Sequence, residues 1–170
     1  SKKLRKQEEN TDRLEIEIAN YLLKVSAQEL NPKESLIIQS MLSIGSDMER
    51  LGDLFYEIGL QLNKKSEERD WFTPKQRTSL ISFTNQINDA IENMVKNLGS
   101  EWGKIDLILA TEMQIEIVKS RKKLQKQHIR NIEKHDYNIK SGLIYSNLYN
   151  LLERAGAHII NVNEAIKEVA

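Results

Sequence analysis

Apolar residues recur at alternating spacings of three and four along most of the chain, and polar punctuation divides them into five stretches. Leu14, Ile18, Tyr21, Leu22 and Val25 share one face of a first helix, predicted from about Lys3 to Leu30. Asn31-Pro32 ends it: Asn31 can cap a following helix, and Pro32 suits that helix's first turn. The second helix carries Ile37, Met41, Ile44, Met48, Leu51, Phe55, Ile58 and Leu62. A polar stretch from Glu67 to Asp70 interrupts the pattern, after which Thr73-Pro74-Lys75-Gln76 reads as a capping box with proline at the first helical position. Leu80, Phe83, Ile87, Ile91, Met94 and Leu98 mark a third helix ending near Gly99. Ser100 can cap a fourth, from Trp102 to about Lys134, with Ile105, Ile108, Ile115, Val118 and Ile129. The segment from Asp136 to Gly142 is the last weak point before a fifth helix with Ile144, Leu148, Leu151, Ala155, Ile159, Val162 and Ile166. No segment alternates as a strand does. The expected fold is all-α: an elongated antiparallel bundle of about five long helices.

Composition agrees with long helices. Charged residues make up 29% of the 170, with 7 Gly and 2 Pro; a Gly or Pro inside a helix costs about 1 or 3 kcal/mol. Cysteine is absent, which excludes disulfides and thiolate metal ligands. Lys+Arg and Asp+Glu are both 25 and the net charge is +0, so the basic excess of a nucleic-acid binder is missing. No apolar run approaches the roughly 20 residues that span a bilayer. The opening Lys2-Lys3-Leu4-Arg5-Lys6 is no signal peptide, and its start within a helical pattern points to a piece of a longer protein.

The second and fifth predicted helices contain an echo of each other. Asp47-Met48-Glu49-Arg50-Leu51-Gly52-Asp53 and Leu151-Leu152-Glu153-Arg154-Ala155-Gly156-Ala157 both read Glu-Arg-x-Gly within a long apolar-periodic helix. At these residues the sequence resembles the PhoU family, whose repeated signature is a Glu-Arg-Ile-Gly-Asp-like segment in the second helix of each three-helix unit. It is particularly similar to the PhoU-like tail of bacterial sodium/phosphate cotransporters, through the segments Thr11-Asp12-Arg13-Leu14-Glu15-Ile16-Glu17-Ile18 and Gln127-His128-Ile129-Arg130. The resemblance implies a first repeat over 1–99 with three helices and an incomplete second over 100–170. It also implies a regulatory domain on the cytoplasmic side of the inner membrane, with the membrane-spanning transporter part of the same chain as partner. A homodimer and a free-standing phosphate-signalling regulator stay open, as does a purely structural scaffold.

In PhoU-like proteins the Glu/Asp-x-x-x-Asp segments can hold metal ions. Residues four apart lie on one helical face, so two carboxylates can share a cation. Glu49 and Asp53 have that spacing, and Glu57 continues the stripe. Glu8 and Asp12 repeat it in the first helix, with Glu9 nearby. A divalent or iron cation is the implied cofactor; the alternative is that Glu49 and Asp53 pair with Arg50 at a solvated edge. The second copy keeps only Glu153, because Ala157 stands in place of the acid. Gly45, Gly52 and Gly156 carry a helix penalty that close approach of another helix would explain, with ligand access as the other reading.

Lys119, Arg121, Lys122, Lys123, Lys126 and Arg130 form a basic run, suited to anionic lipid, to a transporter's inner face or simply to solvent. His128, His135 and His158 have no mutual ligand spacing and are expected exposed or capping. Trp71 and Trp102 are expected to pack at bundle ends. No nucleophile elbow, phosphate loop or dinucleotide signature occurs, so no enzyme activity is expected.

Overall fold

The computed structural model describes residues 2–67, 71–133 and 138–169. His135, the stretch Glu68 to Asp70 and the outer part of the predicted break at Asp136 lie outside the described residues. Five helices are present: α1 (Lys2–Ser26), α2 (Pro32–Glu67), α3 (Pro74–Leu98), α4 (Ile108–Glu133) and α5 (Ile139–Glu168). At 1.5 Å per residue, α2 is about 54 Å long. No strand occurs among the described residues.

The predicted caps form as the side chains require. Glu34 N–H donates to Asn31 Oδ1 at 2.9 Å while Asn31 N–H donates to Glu34 Oε2 at 2.9 Å. Thr73 and Gln76 make the same reciprocal pair at 3.2 and 2.9 Å. Two boundaries differ from expectation. α1 ends at Ser26 rather than Leu30, and α4 starts at Ile108 rather than Trp102. Gly103 breaks the intervening segment with φ of 85°, a conformation that a side chain would resist. Its N–H donates to Ile166 O at 2.9 Å, tying the α3–α4 loop to the end of α5. Asp106, not Ser100, then caps α4 by accepting from Ile108 N–H at 2.9 Å.

α5 is the centre of the bundle. Its residues Ile144, Leu148, Leu151, Ala155, Ile159, Val162 and Ile166 are all buried, as expected of a helix that is apolar over most of its circumference. It packs against α2, α3 and α4. Among the described helices, α1 packs against α2 alone, and α3 against α4 and α5 alone. α3, α4 and α5 therefore form a mutually packed three-helix unit, to which the α1–α2 hairpin is joined by the extensive α2–α5 contact, whereas sequence order puts α3 with the first two. The reason lies in α3's own stripe. Leu80, Phe83, Ile87, Ala90 and Met94 are buried on that side, and Asn97 at its end donates to Asn163 Oδ1 of α5 at 2.7 Å. A buried amide pair of this kind is costly to separate, since each partner would lose its hydrogen bond.

The two glycine motifs sit in matching surroundings. A Cβ on Gly52 would collide with Thr11 Oγ1 of α1, and one on Gly156 would come within 2.9 Å of Ile117 Cγ2 of α4. In both copies the motif helix meets the helix preceding it at the glycine. Gly45 differs, since a Cβ there would meet nothing within 4 Å. The packing explanation holds for Gly52 and Gly156 and fails for Gly45.

This contrast sets an expected result. Gly45→Ala removes a helix penalty at no steric cost and should raise unfolding stability by about 1 kcal/mol. Gly52→Ala should lower it by about 1–3 kcal/mol through overpacking, because the Thr11 hydroxyl is held by Glu8 O at 2.8 Å and cannot swing aside freely. Urea unfolding of the two variants checks the opposite signs.

Candidate metal centre

The crossing of α1 and α2 at Gly52 brings the neighbouring acids together. Thr11 and Gly52 touch, so the residues that follow them, Asp12 and Asp53, face the same gap from opposite helices. Glu8, one turn before Asp12, completes the group. Ligand oxygens of Glu8, Asp12 and Asp53 lie within 4.8 Å of one another, and each side chain is half-buried. Oxygen Oδ1 of Asp12 is shielded from solvent and accepts no hydrogen bond. A buried carboxylate oxygen without a partner is costly, and a hard cation would satisfy it. The donors are all carboxylate, the set that suits magnesium, manganese or calcium over softer ions. The residues fit the implied metal.

Electrostatics point the same way. Loss of hydration, then the charges of Asp12 and Asp53, push the Glu8 carboxyl above its ordinary pKa. Burial, then a hydrogen bond and repulsion from Asp53, do the same to Glu49, against the lowering effect of Arg50. Arg50 reaches Glu49 only at 3.6 Å and Asp53 at 3.8 Å, from an exposed position. Contacts of that length on an exposed guanidinium are weak. The Arg50 pairing expected from the alternative reading is thus present on the α2 side; on the α1 side Arg5, engaged with Glu9, offsets the charge at Glu8 only as the smallest of the influences on it.

Not every predicted acid joins the group. Glu9 turns outward and pairs with Arg5 at 2.9 Å. Glu57 is exposed, a turn beyond the crossing. Glu49 flanks the triad through Asp53 rather than completing it. Of the two adjacent acids singled out on α1, Glu8 joins Asp12 in the group while Glu9, one position along, points about 100° away around the helix.

The second copy is built differently. Glu153 Oε2 lies 2.8 Å from Arg121 Nε, both side chains about three-quarters buried. Arg121 therefore does not belong to the outward basic face to which the sequence run assigns it. Lys122, Lys123, Lys126 and Arg130 are exposed as expected, and Lys119 pairs with Glu116 at 2.8 Å. His128 is buried, not exposed: it sits 5.7 Å from Tyr145 and 6.0 Å from Tyr149 by ring centroid, and burial lowers its pKa. His158, expected exposed or capping, is half-buried. It contacts Asp47 Oδ1 at 2.7 Å, with Asn161 donating to the same oxygen at 3.2 Å. This α2–α5 polar link has no signature in local spacing, because its partners are 111 residues apart. Trp102 packs half-buried with its indole N–H on Leu98 O at 3.2 Å, whereas Trp71 is exposed. No helix of the described residues is long and apolar enough to cross a membrane.

No curated protein and no solved structure matches the chain. The family model described as PhoU domain matches residues 1–61, the segment that holds α1, most of α2 and all three facing carboxylates, and over that segment the chain is PhoU-like.

Proposed function

We propose that this chain is a non-catalytic regulatory domain in phosphate transport, which takes up a divalent cation at Glu8, Asp12 and Asp53 and acts on a membrane transporter. The observation that carries the reading is the triad itself, lying within the segment that matches the PhoU domain. The family match supplies the link to phosphate; the carboxylates supply the chemistry by which the α1–α2 crossing responds to solution conditions. Bound there, the cation would offset the repulsion among three acids and hold the two helices in one register. Glu8 and Asp12 on α1 and Asp53 on α2 would share it, so occupancy bears on the hairpin's geometry. Regulation then requires that the partner distinguish the clamped from the unclamped hairpin.

The transporter context, as a domain on the cytoplasmic side of the inner membrane joined to a sodium/phosphate cotransporter, draws on the resemblance of the motif segments. Its test is phosphate uptake in cells carrying the full-length parent with Asp53→Asn. Altered repression of uptake by external phosphate is expected, with normal protein levels. Unchanged flux together with unchanged regulation would remove the proposal.

A further inference from the structure

The equivalent stretches of α2 and α5 differ sharply in cover. Counted back from Gly156, Tyr145 and Leu152 are 3% and 4% exposed; their counterparts counted back from Gly52, Met41 and Met48, are each 37% exposed. In the second copy the cover includes α3, which packs on both α4 and α5. Among the described helices none fills the corresponding groove between α1 and α2, since α1 meets α2 alone. The groove has a volume of about 370 Å³ and is lined by Leu14, Ile18, Met41, Ile44 and Met48, with Trp102 at one side. Gly45 lies on its floor, where a side chain would enter open space.

Charge narrows the occupant. Glu15 and Glu49 line the same groove, and each is close enough to the other for Glu15 to help raise the Glu49 pKa. Arg50 is the basic group that meets Glu49, at 3.6 Å from the exposed side. The groove is thus an apolar trough with an acidic rim, on which Glu15 makes no ion pair among the described residues and Glu49 only a long one with Arg50, and two flexible methionines on its wall can repack around varied side chains. We propose that it is the docking site for an amphipathic helix of a partner protein, with an apolar stripe like that of α3 and a Lys or Arg where it crosses Glu15 and Glu49. The structure already displays the mode once, in α3 against α4–α5, and helix-in-groove recognition uses such spaced apolar anchors. This proposal stands apart from the cation reading, because the groove's carbon lining does not depend on the triad.

The probe is a synthetic peptide of residues 74–98 carrying Asp89→Lys and Glu92→Lys, added to protein labelled at its methionine methyl groups. Met41 and Met48 should shift saturably, while Met94 and Met113, outside the groove, should not. Gly45→Leu, which fills the trough from its open floor, should weaken binding at least tenfold with helicity unchanged. Met41→Lys, an independent blocking variant on the groove wall, should do likewise, and Glu15→Gln should weaken it about threefold. Absence of binding, equal binding by Gly45→Leu and Met41→Lys, or shifts centred on Met94 would overturn the proposal. So would concentration-dependent shifts of Met41 and Met48 without peptide, which would mean a second copy. Stronger shifts with phosphatidylcholine vesicles alone would mean an acyl chain and overturn it too.

Discussion

Manganese added to the metal-free protein is expected to raise its melting temperature by several degrees, and Asp53→Asn is expected to abolish that rise. At a free cation concentration one hundred times the dissociation constant, binding to the folded state alone contributes about 2.7 kcal/mol. For a chain of this size each kcal/mol moves the midpoint by about 2–4 °C, so the shift should be about 5–10 °C. Asp53 is the α2 member of the triad; without its charge the remaining two acids, both on α1, no longer link the helices. Asparagine keeps the shape and one oxygen, so the variant should fold and melt close to the metal-free parent. Calorimetric scans with and without manganese decide the matter. An equal shift in both proteins would place the ion elsewhere, and no shift in the parent would leave the three carboxylates as a polar edge.

Phe83→Ala should produce the largest loss of stability. Phe83 is 2% exposed in the α3–α4–α5 unit, and truncating a buried phenylalanine costs about 3–5 kcal/mol, part from lost transfer and part from the cavity left behind. That corresponds to a fall in melting temperature of about 6–20 °C. The second half of the expectation is more discriminating. Among the described residues α3 has no backbone packing against α1 or α2, and distant sites combine additively to within a few tenths of a kcal/mol. The manganese-induced rise should therefore survive in Phe83→Ala almost unchanged, on top of a lower baseline. Loss of both together would show that the hairpin depends on the three-helix unit for its geometry.

Much of the fold was legible because its punctuation is local. Asn31 before Pro32, and Thr73 with Gln76, announce helix starts within four residues; the structure uses both caps as read and adds Glu34 as the return partner of Asn31. The start of α4 was not legible in that way. Ile105 and Ile108 keep a helical spacing across a segment that is not helical until Ile108, and the deciding bond runs from Gly103 to Ile166. The placement of α3 was hidden for a similar reason: its apolar stripe would suit either groove, and only contacts across the chain, such as Asn97 with Asn163, select one.

The candidate site was legible in part. Spacing singled out Asp12 and Asp53, and paired Glu8 with Asp12. Choosing Glu8 over Glu9 requires knowing which side of α1 faces α2, and excluding Glu57 requires knowing where the helices cross. Neither follows from one helix taken alone. Arg121 illustrates the limit of reading a charge run, because nothing in the run separates the inward residue from Lys122 and Lys123 beside it. Burial of Glu153 opposite it decides the matter.

Arg121 also bears on how the duplicated molecule behaves as a whole. The acid of the later motif carries its counter-ion within the polypeptide, fixed at synthesis and insensitive to what the surrounding medium contains. Of the earlier motif's acids, Asp47 meets His158 at 2.7 Å, whereas Glu49 and Asp53 meet Arg50 only at 3.6 and 3.8 Å. The two copies of the Glu-Arg-x-Gly echo thus balance their charge differently: a close internal pair in one, and in the other long exposed contacts that, on the proposed reading, leave room for an exchangeable cation.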